Sequence, residues 1–97
     1  MPTFNKVKSG EVAGSATAAV MPDVSCRMAR FIGVIGNAGM VYIGGEGVTI
    51  PDGETDVTSG FELDAGVSTP WFPVTNLNVF YRICDNAGDD VLYQVLE

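Results

Sequence analysis

The chain contains no histidine. That gap removes Ser-His-Asp and Cys-His catalysis, and every zinc site built on imidazole. Lysine is almost as scarce. Lys6 and Lys8 are the only two, both near the N-terminus, so no lysine in the body of the chain can act as a base and an enzyme is not expected. The two cysteines, Cys26 and Cys84, are too few for a stapled secreted scaffold and far from a CxxC spacing. They read as free buried thiols, and a bridge between them has no support from sequence. No apolar run approaches the ~18 residues a membrane span needs. The opening Met1-Pro2-Thr3-Phe4-Asn5-Lys6 lacks the apolar centre of a signal peptide. The expectation is a protein made in a reducing cytoplasm with no membrane partner. Basic residues are also few. Five stand against twelve acidic ones, for a net charge of −7 and a pI near 4.2, which makes nucleic acid an unsuitable partner.

What is present is apolar and turn-rich. Hydrophobic residues make up 46 % of the 97 and charged residues 18 %, so the chain is not disordered over most of its length. One domain of this size removes only about 60–65 % of its unfolded surface from water. Its core is therefore thin, and contact with a partner or a second copy would help it. Charge is segregated along the chain. Residues 1–30 hold four basic and two acidic groups, a balance of +2; residues 31–97 hold one basic and ten acidic groups, a balance of −9. Such polarity favours ordered association, although acidic loops also serve plain solubility.

Twelve glycines and five prolines interrupt the chain too often for long helices. Val41-Tyr42-Ile43, Val79-Phe80-Tyr81-Arg82-Ile83-Cys84 and Val91-Leu92-Tyr93-Gln94-Val95-Leu96 are short runs of β-branched and aromatic residues, as strands are. The last two flank Asp85-Asn86-Ala87-Gly88-Asp89-Asp90 and predict an antiparallel hairpin. Residues 26–35 predict another strand, turning at Gly36-Asn37-Ala38-Gly39 into 40–43 as a second hairpin. Apolar residues of one parity over 11–20 predict a strand there rather than a helix, and 48–50 and 61–63 fit short strands. The fold class is all-β: a small antiparallel β-sandwich or β-barrel spanning 11–97, with residues 1–10 as an extended arm. Val79, Tyr81 and Ile83 share one face of their strand, and Phe80, Arg82 and Cys84 the other. Both faces carry apolar groups, so one fills the core and the other needs a protein neighbour.

Chemistry is sparse. Asp52, Glu54 and Asp56 alternate, as do Glu62 and Asp64, and alternate strand residues share a face. Pro51-Asp52-Gly53-Glu54 is equally an ordinary solvated turn. The 85–90 segment lacks the alternating ligands and closing Glu of a calcium loop. Gly44-Gly45-Glu46-Gly47 lacks the lysine and helix of a phosphate loop. No metal or cofactor is expected. Trp71 and Phe72 between Pro70 and Pro73 form the most suggestive cluster. Buried, Trp71 is a core plug; exposed, it anchors a protein interface or, with Phe72 and Tyr81, stacks on a sugar. The candidate interface residues are Lys6, Lys8, Trp71, Phe72, Phe80 and Arg82.

The order of the motifs adds a resemblance. Arg30-Phe31-Ile32-Gly33-Val34-Ile35-Gly36-Asn37-Ala38-Gly39 precedes Val41-Tyr42-Ile43-Gly44-Gly45 and Gly47-Val48-Thr49. Then follow Gly60-Phe61-Glu62-Leu63-Asp64-Ala65-Gly66, Leu77-Asn78-Val79-Phe80-Tyr81-Arg82-Ile83 and the closing Val91-Leu92-Tyr93-Gln94-Val95-Leu96-Glu97. Over residues 27–97 this resembles the small all-β virion proteins of tailed bacteriophages. The acidic insert at 51–56 and the Trp71-Phe72 pair depart from that pattern. The resemblance implies a capsid decoration (cement) protein on the outside of the head. It would bind the major capsid protein, stabilise the shell and self-associate, as a trimer in such families, at the virion surface. A carbohydrate- or host-binding module on the particle, and a tail or connector component, are the alternatives.

Overall fold

The computed structural model describes residues 6–52 and 58–97. Eight strands follow one another: β1 (Val7–Ala13), β2 (Ala19–Val20), β3 (Met28–Gly33), β4 (Val41–Gly44), β5 (Phe61–Leu63), β6 (Phe72–Pro73), β7 (Tyr81–Cys84) and β8 (Asp90–Leu96). A 3-10 turn, Leu77–Val79, precedes β7. The strands make two antiparallel sheets, ordered β1-β8-β3-β6 and β2-β7-β4-β5. The chain is thus a β-sandwich.

The pairing has a simple logic. β1 pairs with β8, β2 with β7, β3 with β6 and β4 with β5, as in one long hairpin. Rolling that hairpin up lets β8 pair with β3 and β7 with β4, which completes the two sheets. This is the order of an eight-stranded jelly roll.

Period-two patterning fills the space between the sheets. In β3, Ala29, Phe31 and Gly33 are buried while Met28, Arg30 and Ile32 are half-buried on the other side. Val91 and Val95 of β8 face the same way as Phe31, and Val41, Ile43, Leu63 and Cys84 meet them from the second sheet. Phe31 is wholly buried and packs edge-on against Phe80, with ring centroids 4.9 Å apart at 70°. Phe72 lies 5.4 Å from Phe80 on its other flank. Leu77, fully buried, enters from the 3-10 turn, which Asn76 caps by accepting from Asn78 N–H at 2.9 Å. Thr69 acts as an extra rung on β3: its hydroxyl oxygen accepts from Phe31 N–H at 3.0 Å and its own N–H donates to Phe31 C=O at 2.8 Å.

Several expectations are corrected. Neither predicted hairpin exists, because β3 and β4 lie in different sheets, as do β7 and β8. The segments read as turns are crossovers between sheets. The strand expected over 11–20 is two strands broken at Gly14, where any Cβ would run into the backbone carbonyl oxygen of Asp89. Residues 48–50 form only a single bridge, Thr49 to Ser59, rather than a strand. From Val7 onward the expected N-terminal arm is β1, paired along its length with β8. Residues 1–5 and 53–57, including Glu54 and Asp56 of the acidic insert, lie outside the described residues.

Candidate interaction surfaces

The two crossovers, 34–40 and 85–90, are tied together by polar side chains. Asp89, only 5 % exposed, accepts from Ala38 N–H at 2.9 Å through one oxygen and from Gly39 N–H at 2.8 Å through the other. Asp85 accepts from Met40 N–H at 3.0 Å and from the Tyr42 hydroxyl at 3.1 Å. Asn37 donates to Asp90 C=O at 2.8 Å and accepts from Asp90 N–H at 2.9 Å. Backbone groups that leave a sheet to cross the core need such partners, since an unpaired buried N–H is costly. Burial, helped by the Asp85 carboxylate, pushes the Tyr42 phenol up to about 12. The carboxylates of this segment are thus absorbed by the fold.

This arrangement sets a pH dependence. The Ala38 N–H chiefly, with the Gly39 N–H and the Asn86 amide, holds the Asp89 carboxyl below its ordinary value of 3.8, against an opposing effect of burial. A depressed value in the folded state means that the unfolded chain takes up the proton more readily. The stabilisation is therefore present above about pH 4 and lost as the pH falls through the folded value. Glu11 has the opposite sign. Its hydrogen bond to Asp90, then burial and the Asp90 charge, raise it above 4.5, so its contribution is present in acid and fades as the pH rises. Asp89→Asn is expected to flatten the acid limb of the urea midpoint measured between about pH 5 and pH 2, while Glu11→Gln leaves that limb in place.

The six candidate interface residues separate. Phe72 and Phe80 are committed to the aromatic core stack with Phe31. Arg82 is held internally: its Nε donates to Ala13 C=O at 2.8 Å and its Nη1 to Val20 C=O at 2.7 Å, linking the end of β1 to β2. These three are structural, because their side chains are already satisfied within the fold. Lys8 is exposed and pairs with Glu97 at 3.3 Å. Lys6 is exposed and borders a cavity of about 330 Å³ with Ser25, Cys26, Arg27 and Glu97. Burial and the Glu97 charge raise the Cys26 thiol, and burial raises Cys84. Both thiols are free.

Trp71 is half-buried, with the Arg30 guanidinium 4.8 Å from its ring centroid. Phe72 points into the core and Tyr81 belongs to the other sheet. The three aromatics named for sugar stacking therefore form no common platform.

Residues that the sequence reading passed over define the main surface. On the outer side of the sheet β1-β8-β3-β6 the registers lay down successive rows: Val7, Leu96, Met28 and Pro73; then Ser9, Gln94 and Arg30; then Glu11, Leu92 and Ile32. Met28, Ile32, Leu92 and Leu96 are half-buried and Val7 is 70 % exposed. Arg30 occupies the middle, its Nε donating to Gln94 Oε1 at 2.7 Å. A face of aliphatic side chains around a stacked arginine and a tryptophan has the composition of a protein contact centre rather than of free surface. The outer side of the second sheet places Val20, Tyr81 and Ile83 beside Tyr42 and the exposed Glu62. Among the described residues no three His, Cys, Asp or Glu side chains group as metal ligands.

Comparison of the chain with protein-family models, with curated proteins and with solved structures finds no match in any of the three.

Proposed function

We propose that this chain is a structural protein of a phage-type virion, a capsid decoration protein that works by protein contact. The observation that carries the reading is the apolar outer face of the sheet β1-β8-β3-β6, centred on Arg30 and Trp71. A lone domain gains nothing from such a face, whereas a cementing protein acts through buried area between neighbours. The jelly-roll order supports it by analogy, since that fold recurs in capsid and lectin domains. So does the order of motifs over residues 27–97. The lectin side of the analogy has less behind it, because Arg30 lies over the Trp71 ring and no second aromatic among the described residues pairs with it.

The test is reconstitution. Head shells stripped of this chain are heated or osmotically shocked with and without added protein. Bound protein is expected to raise the temperature at which shells rupture, in proportion to occupancy. Shells that bind none of it, or that bind it and rupture unchanged, would overturn the reading.

A further inference from the structure

We infer that the outer faces of the two sheets are complementary to each other, so that copies of this chain associate head to tail with Arg30 of one copy opposite Glu62 of the next. The inference rests on the reading of these faces as protein contacts, and it names the occupant as a second copy.

Arg30 is the starting point. It sits half-buried in the middle of an aliphatic sheet face, oriented by Gln94 and by the Trp71 ring. It has no carboxylate partner among the described residues, in a chain with twelve acidic side chains. The carboxyls that share its face, Glu11 and Asp90, sit one and two register rows away and form no ion pair with it. A guanidinium held this way is ready for a planar, two-pronged carboxylate, which gains strength where aliphatic neighbours exclude water.

The opposite face of the sandwich supplies the counterpart. Glu62 is exposed on the outer side of the sheet β2-β7-β4-β5, in register with Tyr42 and, through it, Ile83. Val20, 48 % exposed, and the half-buried Tyr81 lie in the adjacent row. Glu62 has no cation partner among the described residues. One face therefore offers an arginine without an ion-pair partner among aliphatic side chains, and the other an exposed glutamate beside Val20, Tyr81 and the Tyr42–Asp85 pair.

Edge pairing through β1, the longest open strand edge described, is the competing geometry. Lys8 opposes it, because its register with Val95 and Ala29 turns it toward the core side. An inward-turned lysine at an edge is a device against strand addition. Contact between two different faces is heterologous, so it generates a ring if the rotation closes and a filament if it does not.

Charge reversal tests this in the full chain, with mass in solution measured by sedimentation across a wide concentration range. The parent chain is expected to self-associate. Arg30→Glu and Glu62→Arg should each weaken association about tenfold or more, and the double reversal should recover to within about threefold of the parent. Glu62 is exposed, so its variant reports on contact without a folding defect. Arg30→Ala and Glu62→Ala each keep one intact face, so their mixture should stop at a one-to-one pair. A parent chain that is monomeric throughout, singles that associate like the parent, or a double reversal no better than the singles would each overturn the inference. Shell binding by a monomeric parent would remove this contact and leave the decoration role standing. Association without shell binding would do the reverse.

Discussion

Phe31→Ala is expected to lower the unfolding free energy by about 3–5 kcal/mol, the largest effect of any single truncation in this chain. Phe31 is fully buried at the centre of β3, lies on the same inner side as Val91 and Val95 of the neighbouring β8, and carries the edge-on contact with Phe80. Its removal leaves a void in a core only two sheets thick. It also removes one of the two ring contacts of Phe80, leaving the tilted one with Phe72. Small domains are stable by about 5–15 kcal/mol in total, so the variant should be partly unfolded at body temperature. Urea titration checks it: the midpoint falls and the slope stays constant. A midpoint within experimental error of the parent's would mean that the three-ring stack is not the centre of the core.

The second large effect comes from adding one methyl group. Gly14 ends β1 where the chain leaves one sheet for the other, and a Cβ there would overlap the backbone oxygen of Asp89, with the Cys84 sulfur also close by. Backbone cannot swing aside as a flexible side chain does. Gly14→Ala is therefore expected to cost about 3 kcal/mol, at the upper end for overpacking. Gly36→Ala, at a position where a Cβ meets nothing, is the control and should leave the melting temperature within a few degrees. The clash also couples two regions, since Asp89 holds the 34–40 crossover through Ala38 and Gly39. Loosened amide protection at Ala38 and Gly39 in the Gly14 variant would show that the strain reaches them.

These positions show how much the sequence discloses. The alternation in β3 and β8 is plain in the order of side chains, and so is the all-β class, because period-two patterning is local. Partner choice is not local. Residues 85–90 have the composition of a hairpin tip, yet Asp85 and Asp89 spend their carboxylates on the backbone of 38–40, which fixes them as a crossover between sheets. Composition alone cannot distinguish the two uses of an aspartate. In the sequence Arg82 shares a strand face with Phe80 and Cys84, which makes it a candidate contact residue. Its two backbone carbonyl partners are 62 and 69 residues away in sequence. Arg30, in the sequence only the start of a strand motif, becomes a contact candidate when Gln94 and Trp71 are brought beside it. Phe72 and Trp71 are adjacent, and only the pairing of Ala29 with Phe72 decides which of them faces inward.

The rolled-hairpin order has a further consequence for how the molecule comes into being. β8 lies between β1 and β3, so the sheet that holds Phe31 has no centre until the last strand arrives. Until β8 is in place, β1 and β3 have no strand between them, although β4 and β5 can already pair. Such distant pairing makes for slow assembly, in the millisecond-to-second range. A copy lacking β8 would leave the facing edges of β1 and β3 unpaired and open to proteolysis.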